Sequence, residues 1–360
     1  MRLLVFFGLL AAAFLGSIQL LPKPGDLPDP FTFHLTGQRV NSRVDWPARK
    51  KEIFTLVQQY LYGYYPERSL ETVPCVTFPR GGASSSHLVP VVINLGAINN
   101  NAFLNSGVAL ATFDTNNVAI DSTARTGAFW TLYGNRDIGT LTAWAWGYHR
   151  VLDVIEQVVP EIDAKRVGVT GCSRWGKGAL AAGIFDERIT LIMPMPSGAE
   201  GTGPWRFYSE PARRKRSRTF MVYPYWNNTV LGQFVNITGN SSRLPFDAHD
   251  LVSLVAPHSI IWDEGDTNPE GVVSVVFGAS KVVFNWLGVG SNVCVHVSQG
   301  SDNRHCGLSG YSAIQPFLYK TFFGTASSAN FSDISPFPPH PEAYHARHTL
   351  SPLKCYARHR

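Results

Sequence analysis

The sequence predicts an α/β fold, a three-layer αβα sandwich in which helices cover both faces of a mostly parallel sheet. Short apolar runs rich in valine and isoleucine, which are typical of buried strands, recur along the chain. Longer segments with apolar residues three and four positions apart separate these runs, as helices do in βαβ units. One run, at residues 167–170, also passes through a glycine turn into a helix of small residues.

Before this turn, helices are predicted to alternate with strands. A helix opens at Trp46 and Pro47, because proline suits the first turn of a helix. Two apolar runs begin beside Pro74 and Pro90, and proline favours a strand start or an edge position. The predicted elements are a helix at 46–61, strands at 75–78, 88–95 and 109–113, and a helix at 139–158.

After the turn, the alternation continues within a single domain that we predict to cover residues 21–335. An aromatic, proline-containing stretch at about 204–245 is predicted to be an inserted lobe. Residues 336–360 form a tail rich in proline, histidine and arginine. The predicted elements are strands at 189–194, 259–262 and 292–298, and helices at 177–182, 251–257 and 272–288.

The compartment is predicted from the first residues and from the sequons. Residues 1–20 combine Arg2, an apolar run and small residues, as a secretory signal peptide does; an uncleaved anchor is the alternative. We therefore expect a secreted, extracellular protein that has no membrane attachment after cleavage. Four sequons agree with secretion and predict glycosylation at Asn227, Asn236, Asn240 and Asn330.

Charge and composition limit the partners. The net charge of +5 on 360 residues is modest, so we expect no nucleic-acid partner. The tail histidines lack the spacing of metal ligands, and we expect neither metal nor organic cofactor. The basic run at 213–216 is a solvated loop, a cleavage site or a patch for acidic polysaccharide. The odd count of five cysteines leaves at least one unpaired or used between chains, and the oligomeric state stays open.

Ser173 lies on the strand–turn–helix, with glycines on both sides. Such a turn lifts a hydroxyl above the sheet edge, and the following helix N-terminus adds positive charge where an oxyanion would form. The spacing Gly-x-Ser-x-x-Gly is one residue longer than in the usual nucleophile elbow, and a surface serine on an ordinary turn is the alternative. An asparagine-rich loop at 94–101 either supplies an oxyanion amide or merely fills turns.

Along the chain, Ser173 is followed by acids after later strands and by His305 after the last strand. This is the order of α/β-hydrolases, in which histidine takes the serine proton and the acid orients the histidine. Cys172 precedes the serine and Cys306 follows the histidine, so contact between serine and histidine would make the two sulfurs neighbours. A disulfide there would contribute on the order of 4 kcal/mol to stability.

The segment from Gly171 to Lys177 reads Gly-Cys-Ser-Arg-Trp-Gly-Lys and resembles the serine motif of the glucuronoyl esterases, family fifteen of the carbohydrate esterases. The resemblance implies an α/β-hydrolase fold. It also implies a secreted serine esterase that hydrolyses (4-O-methyl)-glucuronoyl esters, such as those linking glucuronoxylan to lignin alcohols. Over about residues 27–325, further matches lie at 27–33, 139–147, 246–251 and 305–306.

The resemblance also implies roles for single residues. Ser173 is the nucleophile that forms an acyl-enzyme, and His305 is the base. The other implied roles are oxyanion binding by Arg174, substrate contact by Lys177 and Trp226, and a disulfide between Cys172 and Cys306.

The catalytic acid departs from the family pattern. Many members have Glu-Ser-Gly where this chain has Pro196-Ser-Gly, and proline cannot orient a histidine. Asp266, after the strand at 259–262, is the favoured replacement, and Glu200 on the loop of the vacated position is the alternative. Further candidates are Asp263 and Glu264. The missing acid and the basic lobe suggest a rival function, an impaired relative that binds acidic polysaccharide. A second rival is an esterase for another acyl group.

Overall fold

The structure is a computed structural model that describes residues 27–67, 88–96, 99–134, 136–206, 222–235, 240–265, 273–298, 306 and 311–325. Features that we predicted outside these residues are the signal peptide at 1–20, the strand at 75–78, the basic run at 213–216, the tail at 336–360, and the sites Asn236, Asp266, His305 and Asn330.

The described strands are β1 (Val89–Leu95), β2 (Ala109–Ala111), β3 (Ile162–Gly171), β4 (Ile189–Pro194), β5 (Ser259–Gly265) and β6 (Val293–Ser298). They form one sheet in the spatial order β2-β1-β3-β4-β5-β6, and every neighbouring pair is parallel. In the sheet centre, Val169 of β3 lies opposite Ile93 of β1 and Ile192 of β4. The carboxyl ends of all these strands therefore meet at one edge, where open α/β sheets carry their functional loops.

The described helices are α1 (Trp46–Val57), α2 (Asn100–Leu104), α3 (Thr115–Val118), α4 (Ala128–Tyr133), α5 (Thr140–Val158), α6 (Arg174–Phe185), α7 (Ala248–Val255), α8 (Val273–Leu287) and α9 (Tyr311–Phe323). A π-helical turn, Gln58–Tyr62, extends α1. In the predicted lobe, short 3-10 turns lie at Pro224–Trp226, Thr229–Gln233 and Asn240–Arg243. Among the described helices, none has both the length and the apolar character needed to cross a bilayer.

Side chains alternate along the strands and divide the core into two clusters. Val167 and Val169 of β3 belong to the larger cluster, which includes Leu180 of α6. On the opposite face of the sheet, Met193 of β4 packs in a second cluster with Phe317 of α9. Strands buried on both faces have continuous apolar sequences, which is why the sequence revealed them. The predicted three-layer αβα sandwich is confirmed.

Several elements differ from their predictions, and three of these differences have a clear physical reason or bear on the site. Helix α6 begins at Arg174, one turn before the small-residue run that revealed it. Strand β5 continues to Gly265, so Asp263 and Glu264 belong to the strand rather than to its exit loop, because pairing with β6 continues along them. Helix α9 was not predicted because Pro316 interrupts its pattern; burial of its apolar face against the sheet outweighs that interruption.

Two segments that carried the resemblance, 27–33 and 246–251, contact each other. The Nε2 atom of His249, in α7, donates to the Pro28 carbonyl oxygen at 2.9 Å. The buried guanidinium of Arg49, in α1, donates to two further carbonyls of the N-terminal segment. In this structure these motifs attach the N-terminal segment to the helix layer.

Candidate active site

Ser173 occupies the sharp turn between β3 and α6, at the carboxyl edge of the sheet. Its backbone has a φ of 56° and a ψ of −118°, a conformation that residues with side chains rarely adopt. As the N-cap residue of α6, it lies at the positive end of that helix. This is a strained strand-to-helix turn of the kind that carries nucleophiles in α/β folds.

The two glycines beside Ser173 have no room for a side chain. A Cβ on Gly171 would overlap the carbonyl oxygen of Trp175, and one on Gly176 would lie 2.6 Å from the carbonyl oxygen of Met195. Both obstacles are backbone atoms, which cannot rotate away. The second glycine therefore stands where α6 packs against the loop that follows β4, one position later than in the usual elbow.

A disulfide joins Cys172, the residue before Ser173, to Cys306. Their Cα atoms are 5.7 Å apart, although 134 residues separate them in sequence. The predicted pairing is confirmed, and it ties the serine turn to the segment beyond β6. Cys294, by contrast, is a thiol buried in the second core cluster.

Asp121 receives three side-chain donors beside the serine turn. The Nη1 atom of Arg174 donates to Oδ2 of Asp121 in an ion pair. The indole Nε1 of Trp226 donates to Oδ1 at 2.7 Å, and the Tyr225 hydroxyl donates to the same oxygen at 3.2 Å. Asp121 thus connects the first residue of α6 to the turn Pro224–Trp226 of the predicted lobe.

The sequence offered no signal for Asp121. The residue lies between α3 and α4, away from every predicted strand exit, and 53 residues separate it from Arg174. Only a search for a carboxylate partner of Arg174, the arginine beside the serine, would have identified Asp121.

Aromatic rings flank the Arg174 guanidinium. Tyr223 and Trp226 stack with centroids 4.3 Å apart and an angle of 4° between their planes. The Cζ atom of Arg174 lies 5.2 Å from the centroid of each ring, which is within cation–π range. Trp226 is only 3% exposed. The tryptophan that the resemblance assigned to substrate contact is therefore buried, and it supports the arginine.

The pKa values reflect this clustering. Burial acts to lower the pKa of the Arg174 guanidinium, but the hydrogen bond and the charge of Asp121 outweigh it, so this pKa lies above its ordinary value. Burial, followed by the Asp121 charge, raises the pKa of Tyr225 to about 12. Arg174 is charged and Tyr225 is protonated across the pH range in which esterases work.

Lys177, one turn into α6, points into the protein. It is 5% exposed, and its Nζ donates to the carbonyl oxygens of Ser197, at 2.5 Å, and Ala199. The Oε2 atom of Glu200 lies 3.9 Å from the same nitrogen. The lysine that the resemblance assigned to substrate contact thus anchors the loop after β4.

Two of the candidate acids have partners in this structure. Glu200 is 4% exposed, has a φ of 72° and faces the Lys177 ammonium. Asp263 is 3% exposed, and its Oδ1 accepts from Nδ1 of His296 on β6 at 2.6 Å. Asp266 lies outside the described residues, as does the side chain of Glu264.

In the asparagine-rich loop, the described side chains serve the turn. Asn94 is buried, and its Nδ2 donates to Oδ1 of Asn100 at 2.9 Å. The Asn99 side chain caps α2 by accepting from the amide of Asn101. These contacts favour the turn-filling alternative; residues 97 and 98 of this loop lie outside the described residues.

The glycan predicted at Asn227 is wrong. Asn227 is 2% exposed, and both polar atoms of its side chain are buried. Its backbone packs on Gly139, where a Cβ would lie 2.6 Å from the Asn227 Cα. A sequon describes three residues in sequence and carries no information on burial, which is why it failed here. The Asn240 side chain lies outside the described part of the chain.

Other features do not compete with the serine turn. Among the described residues, no three His, Cys, Asp or Glu side chains form a group that could hold a metal ion. A cavity of about 630 Å³ lies beside the start of α5, and Ser173 is not part of its lining. The cavity is lined by Tyr64, Tyr65, Pro66, Glu67, Tyr133, Arg136, Asp137 and Ile138.

Comparisons with known proteins agree on one family. The sequence profile described as glucuronyl esterase, fungi, matches residues 66–288. The 4-O-methyl-glucuronoyl methylesterase of Podospora anserina is 32% identical, over 88% of this chain and 74% of that protein. The protein of the same name from Neurospora crassa is 33% identical, over 84% of each chain.

Solved structures of glucuronoyl esterases have similar folds. The family 15 enzyme of Caldicellulosiruptor kristjansonii has a TM-score of 0.78 at 30% identity, covering 91% of this chain and 98% of that chain. The catalytic domain from Hypocrea jecorina has a TM-score of 0.71 at 28% identity, covering 85% and 91%. A mutant Sporotrichum thermophile enzyme, in complex with methyl 4-O-methyl-beta-D-glucopyranuronate, has a TM-score of 0.71 at 27% identity, covering 85% and 90%.

Proposed function

Because this chain belongs to the fungal glucuronyl esterase family, we propose that Ser173 is the nucleophile of its reaction, with His305 as base and Asp266 as acid. The chain is a carboxylic ester hydrolase that acts on glucuronoyl esters. One observation carries the assignment of Ser173 and His305. The strained turn at Ser173, with a φ of 56°, is tied by the disulfide to Cys306, the residue after His305.

The reaction proceeds through an acyl-enzyme. His305 takes the Ser173 proton as Oγ attacks the carbonyl carbon of the ester, and an oxyanion forms. Collapse of this intermediate breaks the bond to the alcohol, which leaves with the proton from His305. A water molecule, deprotonated by His305, then attacks the glucuronoyl-serine ester. The bond from the acyl carbon to Ser173 Oγ breaks, His305 returns the proton to Oγ, and the glucuronate leaves as the carboxylate.

The oxyanion is stabilised from the start of α6. Arg174 follows the nucleophile directly, and it supplies a permanently charged donor. The helix N-terminus adds the partial positive charge of its unpaired amides. Donors that are fixed before reaction stabilise developing charge without reorganisation.

Two contacts support Asp266 as the acid over its rivals. The carboxylate of Glu200 faces the buried Lys177 ammonium, and that of Asp263 binds His296. Asp266 directly follows Gly265, the last residue of β5, and β5 lies beside the strand that leads to His305. Acids of α/β-hydrolases stand after a strand near the histidine loop in this way.

The substrate is a carbohydrate ester, and we propose that its acyl group is the (4-O-methyl)-glucuronoyl group that joins glucuronoxylan to lignin alcohols. A similar structure holds a methyl 4-O-methyl-glucuronate ester, which supports the sugar part of this proposal. In this arrangement Lys177 and Trp226 act behind the serine turn, Lys177 through the loop after β4 and Trp226 through Arg174.

We also propose that the protein is secreted and works outside the cell. The Cys172–Cys306 disulfide supports this location, because such bonds persist in oxidising compartments. The apolar leader at 1–20 agrees with it. Expression in a secreting host should give extracellular protein whose N-terminus, by sequencing, lies beyond the leader; retention of the leader in cell membranes would contradict the proposal.

The esterase proposal is tested with benzyl and methyl glucuronate esters, an acetyl ester and the variant Ser173→Ala. We expect turnover of the glucuronate esters by the wild type, and its loss by at least roughly a thousandfold in the variant. Turnover of the acetyl ester alone would point to another acyl group. Binding of glucuronoxylan without turnover of any ester would point to the impaired, polysaccharide-binding relative.

The acid is tested by comparing Asp266→Asn with Glu200→Gln. Removing the acid of a triad leaves the histidine in the wrong tautomer, and the loss reaches about 10⁴-fold in kcat in such enzymes. We expect the large loss only in Asp266→Asn. A large loss confined to Glu200→Gln would reverse the assignment.

A further inference from the structure

We propose that Asp121 is a positioning residue of this reaction, which holds the Arg174 guanidinium in the orientation that binds the oxyanion. The inference deepens the proposed function and depends on it, since Arg174 has this role only in an enzyme whose nucleophile is Ser173. Asp121 acts through Arg174, and we do not place it in contact with the substrate.

The contacts of Asp121 fix both of its oxygens. Oδ2 accepts from Nη1 of Arg174, while Oδ1 accepts from Trp226 and Tyr225. The Tyr225 hydroxyl also donates to the Asp121 backbone carbonyl at 2.9 Å. The carboxylate therefore has a single orientation, set by the lobe turn Pro224–Trp226, and it transmits that orientation to the arginine.

An arginine without such a partner is a poor oxyanion donor. Its side chain has several freely rotating bonds, and holding it in one rotamer costs about 1.5–2 kcal/mol of conformational entropy. This entropy cost applies to Arg174 at the serine turn, because its side chain is 35% exposed. Pairing with Asp121 and packing on Tyr223 and Trp226 restrict it before substrate arrives. Preorganised donors are the ones that lower an activation barrier.

The negative charge of Asp121 opposes the benefit of positioning, because it weakens the stabilisation of the oxyanion. A carboxylate beside Arg174 reduces the positive potential that the oxyanion meets. The guanidinium has five N–H donors in a planar fork, and a single carboxylate oxygen engages fewer than five of them. If orientation outweighs charge, removal of the carboxylate slows the reaction; if charge dominates, removal accelerates it. The two effects predict opposite signs, so a measurement decides between them.

The test is a double-mutant cycle of Asp121→Asn and Arg174→Ala, assayed with benzyl glucuronate. We expect Asp121→Asn to lower kcat by at least about tenfold with little change in KM, because a misplaced donor is lost mainly in the transition state. In the Arg174→Ala background the same substitution should cost nothing further. Equal losses in both backgrounds, an unchanged kcat or a raised kcat would overturn the inference.

Asp114→Asn is the matched control. Asp114 lies at the other end of α3, where its side chain caps that helix, and asparagine caps a helix equally well. This variant should keep the wild-type kcat. If Asp121→Asn does not fold, Asp121→Glu takes its place in the cycle, because it keeps the charge and displaces the carboxylate by one methylene. An inactive wild type would contradict the proposed function instead, which separates the two failures.

Discussion

At the scale of single residues, the serine turn depends on positions where only glycine fits. Gly171 closes β3 against the Trp175 backbone, and Gly176 seats α6 on the Met195 carbonyl. Gly178 belongs to the same motif region but has ordinary space, since a Cβ there would lie 3.6 Å from Trp144. Neighbouring glycines in one short stretch thus have different reasons for being glycine.

We expect Gly171→Ala to abolish esterase activity and to lower the free energy of unfolding, because its Cβ meets backbone atoms. Gly178→Ala should keep activity and raise stability by about 0.5–1 kcal/mol, since alanine is the better helix former. Urea unfolding and ester hydrolysis measure both effects. An active Gly171→Ala enzyme would show that the turn relaxes more readily than its packing indicates.

Lys177 gives a second prediction at this scale. Lys177→Met keeps the volume but removes the cation from two carbonyl oxygens and from Glu200, and breaking a buried ion pair costs about 3–5 kcal/mol. We expect a loss of this order in the free energy of unfolding. The double variant Lys177→Met/Glu200→Gln should recover part of it. A lysine that only binds sugar would leave stability unchanged in both variants.

At the scale of elements, α5 packs on α6 through a buried histidine. Nε2 of His149 donates to the Ala182 carbonyl at 2.9 Å, and the Tyr65 hydroxyl donates to Nδ1. Burial lowers the pKa of His149 from 6.5 to about 4. The imidazole is therefore neutral in the folded protein at pH 5 to 6, where it would be largely protonated in the unfolded chain.

This pKa predicts acid sensitivity. Between pH 6.5 and 4 the unfolded chain binds a proton at His149 that the folded chain does not, so the free energy of unfolding falls as pH falls. The stabilisation is complete above pH 6.5, and the loss by pH 4 is on the order of 3 kcal/mol. Urea unfolding across this window should show a shallower pH slope in His149→Gln. A residual slope is expected, because burial also lowers the pKa values of His34 and His258.

The strands and helices also show which structural features local sequence patterns can predict. The strand cores were predictable because burial on both faces leaves a continuous apolar run. Their ends were not, since the length of β5 depends on pairing with β6 rather than on its own residues. Helix α9 was missed because only its packing against the sheet offsets Pro316. Local patterns thus predicted the existence of most strands and missed what pairing and packing add.

At the scale of the whole molecule, one covalent bond connects the middle of the sheet to its edge. The Cys172–Cys306 disulfide closes a loop of 134 residues between the turn after β3 and the segment beyond β6. It stabilises the fold by restricting the unfolded chain. It also holds the serine turn beside Cys306, the residue after the proposed base, so we expect stability and activity to depend on the same bond.

We expect the double variant Cys172→Ala/Cys306→Ala to lose on the order of 4 kcal/mol of unfolding free energy and most of its kcat. Thermal and urea unfolding, with ester hydrolysis, measure the two losses. Cys294→Ala is the control, because it removes a buried thiol and leaves the disulfide intact. Unchanged activity in the double variant would mean that packing alone holds the two loops together.

By itself, the sequence determined the alternation of strands and helices, the serine turn and the pairing of Cys172 with Cys306. Each of these follows from short patterns or from residues adjacent to the proposed catalytic positions. The tertiary structure alone decided that Lys177 is buried, that Asn227 is covered and that Asp121 holds Arg174. Such facts depend on which distant segments pack together. Contacts across 53 residues, as between Asp121 and Arg174, leave no trace in the local pattern of either segment.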